Sequence, residues 1–486
     1  MLWLAFYAAT SERGVKYHNK DDRKHQLLTR LILRSGRETM ISVQIQKGFG
    51  LNIAGAPSRE VVTLEKPIQV ALLPNKIPFV KPRLKVQIGD SVNVGTPLFE
   101  DKRNPDVIFL SPGGGKIARI NFGPRRVIEE IVIALDPEEA YEDFPTISQA
   151  EIETIDKTAL IQAIMMGGLW PLFRELPFRD IANPDVSPPS IIVTLDSREP
   201  FQPLPEVYFK NKIDAFEFGI KILRKLSETV FISTASDDAF KLKELKRYLT
   251  HVCKGVYPAN DPGVLNYHIK KTPKENRAWY IDGQDVLLLA DLFKSGRYPI
   301  EKTLVLGGSL AKEKKHILTR TGVPLRHLTE GRIENITGAR YIVGGVFTGY
   351  TGSEESYMGF YEKSLVLISE GDEKEFFGFA RPGFNKPSRS RVFLSFFNRS
   401  DFPMDCNCHG EERACINCGS CTDVCPVDIL PQFTYKCILA DEIEEALAHG
   451  MLDCVECGLC SYVCPSKVEL SDVLKNTKKA YYLEQI

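Results

Sequence analysis

The spacing of apolar and polar residues changes its period several times along the chain. Between residue 40 and about residue 138, short stretches of alternating apolar and polar residues are separated by Gly and Pro turns. Such alternation is typical of half-buried β-strands, and residues 81–92 show it up to a Gly-Asp turn. Residues 40–138 are therefore predicted to form an all-β domain.

Helical and strand patterns alternate over residues 139–300. Residues 215–226 show the three-to-four-residue apolar spacing of an amphipathic helix, between short apolar runs at 190–195 and 229–234. This order favours a Rossmann-like α/β layer with a mostly parallel sheet. No Gly-x-Gly-x-x-Gly sequence follows a strand here, so the pattern gives little support for dinucleotide binding.

Strand patterns return over residues 301–372, where we predict a small β-rich, β-grasp-like domain. Its glycine pairs at 307–308 and 344–345 fit either turns or a binding loop. Residues 373–412 are polar and include a cationic stretch at 381–391. This segment is predicted to be a linker or a docking loop.

Residues 1–39 differ in pattern from the rest of the chain. Residues 2–9 are apolar, but they are too few to span a membrane, and they lack the positive flank of a signal peptide. The first strand pattern begins at Met40. We therefore interpret residues 1–39 as an atypical extension and Met40 as the biological start, which the intact mass of the native protein would test.

Composition limits the function classes. With 486 residues the chain is long enough for several domains, and 43% hydrophobic with 26% charged residues is typical of a globular protein in water. The net charge of −1 and the lack of a basic run argue against nucleic acid as a partner. No stretch approaches the roughly 18 apolar residues of a membrane span, so we expect any membrane attachment to depend on a partner.

Cysteine usage is the most informative chemical feature. Eleven of the twelve cysteines follow residue 405, in a chain with no recognisable export signal, which favours metal ligation over disulfides. Eight of them form two copies of Cys-x-x-Cys-x-x-Cys-x-x-x-Cys-Pro, at 415–426 and 454–465. In this motif three cysteines of a run bind one [4Fe-4S] cluster, and the fourth binds the cluster of the other run.

The motif thus predicts an α-helical, ferredoxin-like domain with two clusters at residues 413–486. Cluster I would be held by Cys415, Cys418, Cys421 and Cys464. Cluster II would be held by Cys454, Cys457, Cys460 and Cys425. A helix with an acidic start, predicted at residues 441–450, separates the two runs.

Zinc and disulfides are the alternative uses of these cysteines. Zinc needs only four thiolates per ion, and it accounts for neither the third cysteine of each run nor the trailing proline. Gly419 and Gly458 would relieve crowding where each loop wraps a cluster. The iron-sulfur interpretation is therefore favoured.

Three further cysteines fall outside the motif. Cys406 and Cys408 are separated by one residue, and they fit surface thiols better than an auxiliary metal site. Cys437 stands alone between the two runs and is predicted to be a small buried apolar residue.

Four segments resemble the NqrA subunit of the sodium-translocating NADH:quinone oxidoreductases, namely residues 40–57, 97–102, 167–171 and 306–308. The resemblance extends over residues 40 to 400. The N-terminal domain also resembles a biotinyl/lipoyl-type barrel-sandwich, which would put Lys102 near the position of an attached lipoyl group. A solvated hairpin charge is the favoured interpretation of this lysine.

The tail instead resembles the RnfC subunit of the Rnf-type ferredoxin:NAD oxidoreductases, which has the same domain order and two clusters. That family has a glycine-rich flavin and NADH loop where this chain has MMGGLWP at 165–171, and an acidic nucleotide-contacting pair where it has DSREP at 196–200. NADH and FMN are therefore not expected on this chain. The resemblance to NqrA leaves a ubiquinone contact open.

Together the resemblances imply a peripheral electron-transfer subunit on the cytoplasmic face of the cell membrane. Its partners would be the other subunits of a membrane-bound NADH:quinone oxidoreductase, which would couple electron transfer from NADH to ubiquinone to Na⁺ export. An Rnf-type subunit that binds NADH and FMN is one alternative. A non-catalytic scaffold with purely structural clusters is another.

Overall fold

The computed structural model describes residues 40–485, apart from a few short segments. The segments left out are 236–242, 273–274, 335–336, 372–375, 378–379, 381, 385–392 and 408–409. The predicted N-terminal extension, Cys408 and most of the cationic stretch at 381–391 therefore lie outside the described residues.

The first domain is a barrel-sandwich of two antiparallel sheets, in the strand orders β3-β9-β8-β5 and β4-β6-β7. Its strands are β3 (Gln69–Leu72), β4 (Pro82–Leu84), β5 (Ser91–Val92), β6 (Pro97–Asp101), β7 (Asn104–Leu110), β8 (Gly115–Phe122) and β9 (Ile128–Leu135). Phe99 and Phe109 stack in its core, with ring centroids 4.4 Å apart. Lys102 is exposed at the turn between β6 and β7.

Two early strands join other sheets. Strand β1 (Ile41–Gln44) is an edge strand of the α/β sheet, and the next residue, Ile45, donates its N–H to the carbonyl of Lys254 at 2.8 Å. Strand β2 (Val61–Thr63) pairs in parallel with a strand of the β-rich domain. Alternation predicts that such short segments are strands, but it does not show which strand each one pairs with. From the sequence alone, both strands are therefore assigned to the barrel-sandwich domain, which follows them in the chain.

The second domain is the α/β layer, a seven-stranded sheet in the order β1-β14-β13-β12-β15-β10-β11. Its further strands are β10 (Arg174–Glu175), β11 (Asp180–Ile181), β12 (Ile191–Thr194), β13 (Val230–Thr234), β14 (His251–Lys254) and β15 (Trp279–Asp282). Its helices are α1 (Glu151–Thr154), α2 (Lys157–Met166), α3 (Pro205–Tyr208), α4 (Ile213–Leu226), α5 (Pro262–Ile269) and α6 (Gly283–Ser295). The four central strands are parallel, which confirms the predicted layer.

This sheet has a topological switch point. From β12 the chain continues to β13 and β14 on one side, whereas β15 lies on the other side of β12. Connections leaving the carboxyl ends of β12 and β15 therefore diverge and open a crevice, the usual ligand position in such sheets. Thr194 and Asp282 are paired in register at this edge.

The third domain is a mixed six-stranded sheet in the order β19-β18-β20-β16-β17-β2. Its own elements are β16 (Glu301–Gly307), β17 (Lys315–Arg320), α7 (Leu325–Thr329), β18 (Ala339–Val343), β19 (Tyr350–Gly352) and β20 (Ser364–Ser369). Cys406 lies beside it, half-buried, and donates its N–H to the carbonyl of Ser369 at 3.1 Å.

The tail is helical in its described part. Its helices are α8 (Ser420–Val424), α9 (Pro431–Leu439), α10 (Ile443–Ala448), α11 (Leu459–Tyr462) and α12 (Leu470–Leu483). Helix α10 is the predicted helix between the cysteine runs, and Gly450 beyond its end has a φ of 85°. Cys437, which we expected to be buried, is only half-buried on α9, whose buried residues are Pro431, Gln432 and Thr434.

Short 3-10 helices occur at Pro74–Lys76, Pro124–Arg126, Trp170–Leu172, Lys243–Arg247, Leu394–Phe397 and Met451–Asp453. Among the described residues, none of the helices combines the length and the apolar character that crossing a membrane requires.

Candidate iron-sulfur site

The first cysteine run and the last cysteine of the second run line the same small cavity. Gly419 has a φ of 79° at the start of α8, and this left-handed turn leads the chain from Cys418 into the helix. The cysteines that line the cavity are Cys415, Cys418, Cys421 and Cys464. Apolar side chains of Ile416, Val468 and Leu470 complete the wall.

The second run lies beside the fourth cysteine of the first run. Cys425, 7% exposed, packs with Cys454 and Cys457 in one apolar cluster. The thiols of Cys425, Cys454 and Cys460 lie near enough to Cys457 for their charges to interact with it. Gly458 repeats the left-handed turn of Gly419, with a φ of 77° before α11. The structure thus brings the fourth cysteine of each run to the other run.

Burial raises the pKa of most thiols in these sets. It raises the pKa of Cys425 to about 12 and also raises those of Cys421, Cys454, Cys457 and Cys460. Bare thiolates are therefore disfavoured here, whereas bound iron would supply the positive charge that stabilises them. A partly buried, all-sulfur donor set with apolar walls suits an iron-sulfur cluster.

The spacing of these side chains differs from that of a single-ion site. In the described part of the chain, no three His, Cys, Asp or Glu side chains converge closely enough to share one metal ion. Thiolates on one ion crowd round a single atom, whereas in a cubane each cysteine binds a different iron atom.

Both runs are anchored to the α/β domain. His268 on α5 lies with Nε2 3.0 Å from the carbonyl oxygen of Pro426, at the end of the first run. Lys270, which follows the same helix, pairs with Asp453, just before the second run, at 2.6 Å. The Tyr257 hydroxyl donates to the carbonyl of Cys457 in the second run at 2.8 Å. These contacts hold the cysteine runs against the α/β domain.

A cavity of about 650 Å³ opens at the switch point beside this anchored run. All four domains contribute to its walls, including Lys76, Asp196, Glu199, Phe347, Glu362 and Cys457. Phe347 stacks on Tyr257 with ring centroids 4.6 Å apart, between the β-rich domain and the cysteine run. The cavity therefore lies next to a candidate ligand of cluster II.

Acidic side chains of the chain itself already occupy the backbone N–H groups around this cavity. The Glu199 carboxylate accepts the N–H groups of Phe347 at 2.9 Å and of Thr348 at 3.0 Å. Asp261 caps the N-terminus of α5, and Asp282 caps that of α6. Backbone N–H groups of this kind, when they are not already paired, bind the phosphate of a ligand. The Asp-Pro and Asp-Gly pairs that begin the two helices are the signals in the sequence that correspond to these caps.

The glycine pairs have packing roles. A Cβ on Gly168 would lie 2.4 Å from the Leu110 side chain, and one on Gly345 would lie 2.3 Å from the Glu199 carboxylate. A Cβ on Gly308 would lie 2.2 Å from the carbonyl oxygen of Leu367. Close approach of neighbouring groups therefore explains these glycines without a bound ligand.

Fold and cysteine geometry define a multidomain protein with a C-terminal iron-sulfur domain. Three family models match in chain order. They are described as the NqrA N-terminal barrel-sandwich hybrid domain, over residues 43–136, the NqrA second alpha/beta domain, over 155–298, and a 4Fe-4S dicluster domain, over 410–468.

Full-length relatives identify the family. The NqrA subunit of the Na(+)-translocating NADH-quinone reductase of Saccharophagus degradans is 32% identical over 85% of this chain and 92% of the relative. Its counterparts in Histophilus somni and Pseudomonas aeruginosa are 31% and 30% identical, with the same coverage of 85% and 92%. The chain therefore belongs to the NqrA family of Na(+)-translocating NADH-quinone reductase subunits. A solved NAD+-reducing [NiFe]-hydrogenase in the H2-reduced state matches at 12% identity, over 70% of this chain and 63% of that chain, with a TM-score of 0.34, too low to assign a fold.

Proposed function

We propose that this chain is a peripheral electron-transfer subunit of a membrane-bound, sodium-translocating NADH:quinone oxidoreductase and that it carries two [4Fe-4S] clusters. Family membership and the dicluster domain at residues 410–468 support this function. The observation that carries it is the exchange of fourth cysteines between the runs, since Cys464 lies with the first set and Cys425 with the second.

Each cysteine set would hold one cluster, and the clusters would supply one-electron transfer. The first set is Cys415, Cys418, Cys421 and Cys464. The second set is Cys425, Cys454, Cys457 and Cys460. Cys418 is exposed, so the first cluster would lie nearer the surface and a protein partner, while the second would lie beside the large cavity.

Partner subunits would oxidise NADH and move sodium. On this chain Glu199, Asp261 and Asp282 occupy the N–H groups that a cofactor phosphate would need, which argues against NADH and FMN here. The chain itself would lie on the cytoplasmic face of the membrane.

Iron content tests the proposal directly. Anaerobically purified full-length chain should contain roughly eight iron and eight acid-labile sulfide atoms, the content of two cubane clusters. The variants Cys418→Ala and Cys457→Ala should each keep roughly half of that content, because each removes one ligand of one set. Cys406→Ala, a cysteine outside both sets, is the matched control and should keep all of it.

Iron near zero in the anaerobic wild-type chain would contradict the proposal. Purification of the native complex from membranes should also recover this chain together with the other subunits of the reductase. Recovery of the chain alone, in a preparation where those subunits copurify with each other, would contradict its place in the complex.

A further inference from the structure

Two cations, one buried and one partly buried, lie against the backbone of the second cysteine run. Lys478 on α12 is 2% exposed; its Nζ donates to the carbonyl of Cys454 at 2.7 Å and pairs with Glu456 at 3.1 Å. Arg179 donates to the carbonyl of Val455 at 3.1 Å and pairs with the Asp261 carboxylate at 2.8 Å. These cations come from the tail helix and from the α/β domain, so only the assembled fold places them together.

The first run lies in a different environment. Cys418 is exposed, and the side chain of Ile416 beside it is 68% exposed. Water screens charge at such a surface position, whereas it screens the buried Lys478 much less. Equal charges would therefore act more strongly on a group held by the second run.

We propose, resting on the proposed function, that Lys478 and Arg179 are positioning residues that raise the reduction potential of the cluster held by the second set. A cluster held by this set would become more negative by one unit when a reductant donates one electron to it. The Lys478 ammonium, 2.7 Å from the backbone carbonyl of Cys454, would stabilise the more negative form. The potential therefore rises for this cluster and not for the exposed one.

Glu456 acts in the opposite direction. It lies inside the second run, between Cys454 and Cys457, and its carboxylate pairs with the Lys478 ammonium at 3.1 Å. Its negative charge destabilises the reduced cluster, so its removal raises the potential.

The test is a dithionite titration of the full-length chain, followed by electron paramagnetic resonance. Lys478→Met keeps the length of the side chain and should shift one of the two midpoints to a more negative potential. Glu456→Gln should shift the same midpoint to a more positive potential. Lys479→Met is the matched control, because Lys479 is the next residue on α12 and is exposed, and both midpoints should stay in place.

The affected midpoint should be the one that disappears in Cys457→Ala, and Lys478→Arg should restore most of the shift. Unmoved midpoints, or a shift of the same sign in Lys478→Met and Glu456→Gln, would overturn the inference while iron content remains normal. If Lys478→Met loses iron, the Glu456→Gln variant provides the test. An unchanged midpoint potential in Glu456→Gln would then overturn the inference. Failure of the proposed function differs from all of these results, because the wild-type chain itself would then lack iron.

Discussion

At the residue scale, Asp196 connects three parts of the cavity wall. Its carboxylate accepts the N–H of Ala235 at 2.6 Å, the Thr234 hydroxyl at 3.1 Å and the Asn260 side-chain amide at 3.0 Å. Burial nevertheless raises its pKa from 3.8 to about 6. All three of these partners are groups of the chain itself.

This raised pKa makes stability depend on pH. A carboxyl group whose pKa rises on folding stabilises the fold while it is protonated, and this contribution is lost as the pH rises through the folded value of about 6. Asp196→Asn does not titrate. We expect its apparent Tm, relative to wild type, to rise between about pH 4 and about pH 7, by an amount corresponding to at most about 3 kcal/mol.

Thermal unfolding at a series of pH values measures this difference. Asp185→Asn, a change at an exposed carboxylate, is the control and should follow the wild type throughout. A Tm difference between Asp196→Asn and wild type that stays constant with pH would contradict the assignment.

At the element scale, helix α12 holds the tail on the other domains. Tyr482 stacks on Phe178 with ring centroids 4.2 Å apart, and its hydroxyl donates to Asp180 at 2.9 Å. Asp180 also pairs with Arg103 of the barrel-sandwich at 2.6 Å. One aromatic residue near the end of the chain therefore contacts an ion pair between two domains, and the same helix carries Lys478.

Loss of this ring should loosen the tail. Tyr482→Ala is expected to cost about 1–3 kcal/mol of docking free energy, because both the aromatic contact and the hydrogen bond are lost. Tyr482→Phe keeps the ring and should cost about 1 kcal/mol. Limited trypsin digestion should cleave near Lys478 and Lys479 faster in the alanine variant, with the phenylalanine variant between it and wild type.

Leu483→Ala is a useful comparison, since Leu483 is the next residue but is 43% exposed. Its digestion rate should remain close to that of wild type. Equal rates for Tyr482→Ala and wild type would show that the ring does not hold the helix.

At the scale of the whole molecule, the four domains enclose a cavity at the switch point, a position that commonly binds nucleotides. The carboxylates of Glu199, Asp261 and Asp282 fill the N–H positions around it. In this fold the crevice is therefore present, but acidic side chains of the chain itself accept the N–H groups that a ligand's phosphate would otherwise contact.

The expected consequence is a chain without flavin or nucleotide. Denatured wild-type chain should release no FMN, and NADH should leave the visible absorption of the clusters unchanged, because no hydride acceptor would be present. Dithionite should bleach the same absorption and so serves as the positive control. Flavin released in proportion to protein, or bleaching by NADH, would instead support an Rnf-type entry subunit.

The sequence by itself determined the local features of this protein. Alternation predicted the strands of the barrel-sandwich, the helical period predicted α4, and the spacing of the cysteines predicted the two sets, because each signal lies within a few neighbouring residues. These strand, helix and cysteine patterns depend only on the geometry of residues that are close together in the sequence.

Only the tertiary structure decided what depends on distant partners. It placed β1 and β2 in sheets other than that of the following domain, since a short strand can pair with any open edge. It also brought Lys478 and Arg179 to the same cysteine run from positions 299 residues apart. Lys478 is fully buried and Arg179 partly buried, and burial is a property of the packed domains that residue spacing alone cannot show.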